Sequence, residues 1–321
     1  MKLPSGLLRC AICSEPVERP AERPSWTCPR GHVFGEVDGI PRLVTPEDAH
    51  GIEGSVESFG FQWTTFDVRD TAEDTQVFAE KTGLALAELP GKLVMDAGCG
   101  GGRYARLAAE HGAQVVAMDL SAAVRQAREA TRHLSNVTVV QGNLLRPPLA
   151  PGAFDVVYSI GVLHHTPDTH AAFRAIARLV KPGGHLAVWL YRRNTWPQEI
   201  INTAGRTLTT RLPRPALLLI ARAGAVAGGI PIVRHLNKVI NFSAHPRWET
   251  RVCDTFDWWA PRYQFHHTEP ELVRWFQEAG FDGVRLLHPG RAANGGAYAR
   301  LYHGNVLIGS GVNAAATRRA C

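Results

Sequence analysis

Apolar and polar positions along the middle of the chain predict strands and helices in regular alternation. Leu93-Val94-Met95 is apolar in series, as a central strand covered on both faces requires. Gly98-Cys99-Gly100-Gly101-Gly102 follows, and Arg103 to Glu110 places apolar residues at helical spacing, with Gly112 as a cap. The unit then repeats. Gln114 to Met118 is a second strand ending at Asp119, and Ser121 caps a helix reaching about Leu134. Val137 to Val140 and Phe154 to Ile160 are strands three and four. A helix over Asp168 to Val180, a Lys181-Pro182-Gly183-Gly184 stop and a fifth strand from His185 to Tyr191 complete the series. Such alternation predicts an α/β fold on a parallel sheet.

Flanking segments read differently. Residues from about Ala72 to Leu89 predict a leading helix. After Tyr191 the alternation stops. Pro215 to Val233 is apolar but broken by Arg222 and several glycines, which predicts a buried or interfacial helix pair rather than a span. Thr255 to His267 holds an aromatic cluster. Thr268 with Glu271 three residues on is a capping box for a last helix ending at Gly280. Phe281 to Leu287 and Ala297 to His303 read as two closing strands, and the residues after about 309 as a mobile tail.

The glycine turn decides the chemistry. A dinucleotide fingerprint read from Gly98 would need glycine at 103, where Arg103 stands. The stretch resembles motif I of class I S-adenosylmethionine (SAM) methyltransferases, on Asp96, Gly98, Gly100 and Gly102. Asp119 stands at the end of the second strand, about 20 residues past the turn, where an acid can accept hydrogen bonds from both ribose hydroxyls. The Gly161-Val162-Leu163-His164-His165 run resembles motif IV of the small-molecule branch. The resemblance implies a seven-stranded, Rossmann-like class I methyltransferase sheet, order 3-2-1-4-5-7-6. It implies SAM contacts at Asp96, Gly98, Gly100, Gly102, Asp119, Leu120, Asn143, Leu144 and Ser159. Asn143 replaces an acid that often bonds the adenine amino group in the family, and its carbonyl can accept that bond.

The N-terminal 45 residues carry a second signal. Cys10-Ala11-Ile12-Cys13 precedes Cys28-Pro29-Arg30-Gly31-His32 by fourteen residues, a paired spacing suited to one tetrahedral Zn²⁺ on Cys10, Cys13, Cys28 and His32. The module resembles the zinc ribbon of some ribosomal-RNA guanine methyltransferases, which match these ligands one for one. A closed Cys₃His set is structural. The expected organisation is a zinc ribbon over 1–45, a SAM-binding core over 46–191, a helical and aromatic insertion over 192–264, the C-terminal part of the core over 265–309 and a tail over 310–321.

Function follows in outline. A chain of 321 residues with net charge +6 and no run of five or six like charges fits a protein with scattered surface charge. The N-terminus lacks a long apolar stretch, so no signal peptide is expected, and six cysteines, mostly ligand or turn residues, suit a reducing, cytoplasmic setting. His164, His165, Tyr191, His266 and His267 are candidates for a catalytic base, each otherwise a pocket or core residue. Ser58-Phe59-Gly60-Phe61-Gln62-Trp63 either folds over the SAM pocket or packs under a loop. The insertion is either a substrate lid, with Trp258 and Trp259 as apolar wall, or a structural or oligomerisation element. The favoured reading is methyl transfer to a small or lipid-like metabolite under that lid. RNA docked by the ribbon is the alternative, though it asks for a coherent basic face. A SAM-folded binding module without catalysis is a third.

Overall fold

The computed structural model describes residues 3–20, 24–50, 60–61, 65–66, 71–193, 196–287 and 311–320. The continuous apolar runs form parallel strands β4 (Leu93–Ala97), β5 (Gln114–Asp119), β6 (Val137–Gly142), β7 (Phe154–Ile160) and β8 (Val180–Tyr191). Between them lie α3 (Arg103–Glu110), α4 (Val124–Ala130) and α5 (Thr169–Ala177). Preceding them are β1 (Ser25–Thr27), β2 (Val33–Val37), β3 (Ile40–Leu43), α1 (Pro46–His50) and α2 (Thr71–Thr82). The leading helix stops short of Leu89 because Gly83 turns the chain at φ +69°. β8 starts earlier than expected: Val180 already pairs with Phe154, and the Pro-Gly-Gly shifts the register inside the strand instead of ending a loop.

Among the described residues the sheet has ten strands, not seven. Their order is β1-β2-β3-β6-β5-β4-β7-β8-β10-β9, where β9 is Phe281–Leu286 and β10 is Gly311–Arg318. The three extra strands come from the N-terminal module, whose β3 pairs in parallel with β6 through Arg42 against Gln141 and Leu43 against Gly142. That module is therefore not separate. Leu7, Leu8, Cys10 and Phe34 share one apolar core with Leu149 and the α5 face of the sheet.

The C-terminus corrects another expectation. The strand expected at 297–303 lies outside the described residues, and the expected tail over 310–321 contains β10. That strand is antiparallel to both β8 and β9, with Val312, Ala314 and Ala315 fully covered. The capping box at Thr268 and Glu271 opens α9 (Glu269–Glu278), with both reciprocal bonds present.

Among the described residues, 192–264 hold three α-helices, α6 (Trp196–Thr209), α7 (Arg214–Gly229) and α8 (Trp248–Trp259), with a 3-10 turn over Val233–Lys238. Leu217, Ala221 and Ala225 of α7 pack against Val252, Phe256 and Trp259 of α8, a small core of its own. Phe61 joins it, 5.6 Å from the Phe256 ring centroid. Residues 58, 59, 62 and 63 lie outside the described set. Among the described residues, no helix is long and apolar enough to cross a membrane.

Candidate active site

Beyond the C-terminal ends of β4, β5, β7 and β8 lies a cavity of about 250 Å³, the usual ligand position in a doubly wound sheet. The glycine turn, Asp119 to Ser121, Asn143 to Leu145 and Ile160 to Val162 form its floor and sides, and α8 covers it.

The turn is shaped by close approach. Gly98 has φ +88°, and a β-carbon there would sit 2.4 Å from Val162 Cγ1. Gly102 serves helix packing instead: its β-carbon would lie 2.9 Å from Ala127 Cα on α4, and it does not line the cavity. Asp119 pins the turn, accepting from the Gly100 N–H at 3.0 Å and the Ser121 N–H at 2.8 Å. Its carboxylate retains lone pairs for a ligand.

Among the charged residues of the lining, four aspartates, Asp96, Asp119, Asp254 and Asp257, outnumber Lys81 and Arg103. Burial pushes the Asp96 carboxyl up to about 7, and the charge of Asp119 adds to the rise. Asp96 Oδ2 is buried with no hydrogen-bond partner among the described residues. Asp254 is also raised by burial. Lys81 is brought down to about 7, by burial and then by Arg103 nearby, with its ammonium 4.0 Å from the Trp189 ring centroid. Arg103 is engaged by Asp74 and lies 3.6 Å from Glu73.

One wall carries a hydrogen-bonded cluster of titratable side chains. Tyr191 donates its hydroxyl to Asp257 Oδ2. Burial and the Asp257 charge hold that phenol well above its ordinary range, so it stays a donor. His165 Nδ1 lies 2.9 Å from the Tyr263 carbonyl, which can only accept, so Nδ1 carries a hydrogen. His165 Nε2 then faces Asp257 Oδ2 at 3.5 Å. All three side chains line the cavity.

Other expected residues are placed elsewhere. His164 is fully buried behind Tyr191, ring centroids 4.0 Å apart, and burial drives its pKa well below the usual value, so it stays neutral. His266 bonds Glu199 through Nδ1 at 2.7 Å and borders a second cleft along α6. His267 lies 3.3 Å from Glu271 and packs on Trp275. Ser159 donates to the Ala97 carbonyl at 2.8 Å, a strut between β4 and β7. Asn143 lines the cavity, but its amide donates to Asp48 at 2.8 Å and its carbonyl accepts from the Leu145 N–H at 2.9 Å, which anchors α1. Leu120 and Leu144 line the cavity.

Neither Trp258 nor Trp259, expected as apolar wall, lines the cavity. Trp258 stacks on Tyr191 from outside the cavity, centroids 4.4 Å apart, and Trp259 is core, donating to the Asn241 carbonyl at 2.8 Å. Thr250, Cys253, Asp254 and Asp257 face the cavity instead. Sequence reasoning missed Asp257, Asp254 and Lys81. A carboxylate inside the aromatic run Phe256-Asp257-Trp258-Trp259 was the available signal for the first; nothing marked Lys81.

The N-terminal cluster is compact. The ligand atoms of Cys10, Cys13, Cys28 and His32 all lie within 4.8 Å of one another. Cys13 and Cys28 sulfurs are 3.7 Å apart, and His32 Nδ1 is 3.4 Å from Cys10 Sγ and 3.3 Å from Cys28 Sγ. Tetrahedral Zn–S bonds of about 2.3 Å would set sulfurs about 3.8 Å apart, so the donor set fits that ion.

Comparison with known proteins places a methyltransferase domain in the same part of the chain. Residues 95–188 match the family model described as a methyltransferase domain. The ubiquinone biosynthesis O-methyltransferase of Ralstonia nicotianae is 36% identical over 131 residues, 40% of this chain and 55% of that relative. Its counterpart from Serratia proteamaculans is 40% identical over 115 residues, 34% of this chain and 48% of that one. The chain thus spans about half the length of the curated relatives it matches. A chain from the complex between the Haloferax volcanii Trm112 methyltransferase activator and a methyltransferase superposes with TM-score 0.50 at 14% identity. That match covers 84% of this chain and 99% of the other, and it speaks to the fold alone.

Proposed function

We propose that this chain, which carries a class I SAM-dependent methyltransferase domain, methylates a hydroxyl of a small acceptor held beneath α8. The observation that carries this reading is the Tyr191–Asp257–His165 cluster on the same cavity as the glycine turn and Asp119. The cavity also suits the cofactor. Asp96, Asp119, Asp254 and Asp257 face it, Lys81 is shifted toward neutrality and Arg103 is paired, an excess of acid that favours a cationic ligand. SAM, when bound, supplies a methyl group activated on a sulfonium.

The chain's own residues do the rest. Gly98, Gly100 and Asp119 shape the floor, with Asp119 placed for the ribose hydroxyls. Positioning two reactants in a cavity roofed by α8 removes most of the entropic barrier and excludes water. His165 Nε2, with Nδ1 fixed on Tyr263, takes the acceptor's proton, and Asp257 stabilises the imidazolium that results. A neutral imidazole as general base suits a phenolic or enolic hydroxyl near pKa 10 better than an alkyl alcohol, whose proton is far less acidic. The designation of the relatives as O-methyltransferases supports an oxygen acceptor. The zinc ribbon, holding Zn²⁺ on Cys10, Cys13, Cys28 and His32, braces the β3 edge of the sheet.

The test is labelled methyl transfer from SAM to small phenols, to small alcohols and to RNA, with wild type and His165→Asn. Methylated phenol, lost in the variant with SAM binding kept, is the expected result. Methylated RNA that ignores the variant would overturn the reading.

A further inference from the structure

The insertion concentrates features that the cavity does not use. Residues 196–247 contain seven Lys or Arg and a single Glu; with 35 and 29 in the whole chain, the remainder holds 28 of each. The full net charge of +6 therefore sits on this one segment. No run of like charge marks it, because the cations are spaced through α6, α7 and the following turns.

The same segment exposes large apolar side chains. On α6, Trp196, Ile200 and Leu208 fall at multiples of four residues, one helical face, and Trp196 is 75% exposed. Past α7, Ile232 is 85% exposed, and Leu236 and Ile240 also face out. The two stretches adjoin: Gln198 of α6 donates to the Asn237 carbonyl at 3.1 Å and to Asn241 Oδ1 at 2.6 Å. Leu219 and Val226 of α7 point outward, opposite the face packed on α8, and Arg211 and Arg222 are exposed nearby in the chain.

We propose that this face docks peripherally on an anionic lipid bilayer. Apolar side chains mixed with cations are what the headgroup boundary accepts, and each cation near an anionic leaflet strengthens partitioning by roughly fivefold. A second copy of the chain is a poor occupant, because a two-fold interface would set the two +6 segments against each other. A nucleic acid would use the cations and leave the isoleucines and Trp196 in water. With no helix of spanning length among the described residues, the face lies on the bilayer and does not cross it. Because α7 rests on α8, the docked face stands one helix from the cavity roof. The proposal does not depend on the nature of the acceptor.

The test is flotation of the full chain with phosphatidylcholine vesicles, with and without phosphatidylglycerol. Wild type is compared with Ile200→Glu/Ile232→Glu and with Arg211→Glu/Arg222→Glu. Size-exclusion chromatography and SAM binding are measured alongside. Binding to the anionic vesicles that falls at least tenfold in both double variants, with SAM binding unchanged, is the expected result. Equal affinity for neutral vesicles, or no binding to either, would overturn it. So would binding that only the charge variant weakens, which is simple electrostatic adhesion, or a dimer that Ile200→Glu/Ile232→Glu dissociates.

Discussion

Tyr191 at the end of β8 gives its hydroxyl hydrogen to Asp257 on α8, joining the sheet to the insertion at the cavity wall. The bond spans 66 residues of sequence, and it makes the insertion part of the site, not only a cover. Tyr191→Phe deprives a part-buried carboxylate of a donor, at a cost of about 1–3 kcal/mol in the cluster. We expect kcat/KM for the acceptor to fall roughly tenfold or more, with the SAM dissociation constant unchanged. Asp257→Asn should fall further, since it also removes the charge beside His165. Steady-state kinetics and calorimetry on the two variants check this. Full activity in Asp257→Asn would remove the cluster from the mechanism.

The pH dependence of cofactor binding has a definite sign. Asp96 titrates near 7 because burial disfavours its charge, and a bound sulfonium would lower that value again. Binding therefore releases a proton, and affinity for SAM rises as pH rises through 7. Lys81, also near 7, acts in the same direction, since its charged form at lower pH repels the cation. Affinity should increase up to about tenfold per pH unit for each proton released. S-adenosylhomocysteine, a neutral thioether, should show a much flatter profile. Calorimetry from pH 6 to 8 with both ligands decides it, and parallel profiles would refute the link to the cation.

Much of this architecture is legible in the chain because period and composition speak directly. The apolar run Leu93 to Met95, the glycines after it and the acid at Asp119 read as strand, turn and strand end. Cys10, Cys13, Cys28 and His32, which the paired spacing reads as one donor set, lie together in one cluster. What failed was whatever depends on a partner. Val312-Asn313-Ala314-Ala315-Ala316 is mostly alanine, a weak strand former, and carries little to announce a strand, yet it lies buried between β8 and β9. On α8 the aromatic residues looked like the cavity wall. The helix has two working faces, though: Thr250, Cys253, Asp254 and Asp257 recur at cavity spacing, while Val252, Phe256 and Trp259 recur toward α7. Which face meets the cavity is fixed by docking, and sequence alone does not give it.

The proposed zinc module shares its core with the sheet, and this changes what loss of a metal there would do. Leu7, Leu8 and Phe34 pack with Leu149, and β3 is hydrogen-bonded to β6. Cys13→Ser should lose zinc and also lower the melting temperature of the whole chain by roughly 5 °C or more, not simply release a free domain. Elemental analysis and calorimetric melting test both parts. Full zinc occupancy in the variant would contradict the ligand set, and an unchanged melting temperature with zinc lost would contradict the shared core.

Asp119 shapes the glycine turn and is also proposed to hold the ribose, and the two roles can be separated. Its two oxygens hold the Gly100 and Ser121 N–H groups, so it shapes the turn before any ligand arrives. In Asp119→Ala both backbone donors lose their partner, and a ribose would lose its acceptor as well. Hydrogen bonds to a charged group are worth roughly 1.5–3 kcal/mol each, so SAM affinity should fall at least about tenfold. Adenosine shares the ribose but not the methionine moiety, and its weaker affinity should fall by the same factor if the ribose contact is the one lost. In Asp119→Asn one oxygen remains, but the amide nitrogen meets a backbone N–H, donor against donor, so this substitution should melt earlier than wild type and still bind SAM poorly. Titration of both ligands against both variants, with melting curves for the free proteins, distinguishes the roles. A variant that keeps its melting temperature and its SAM affinity would remove Asp119 from the site.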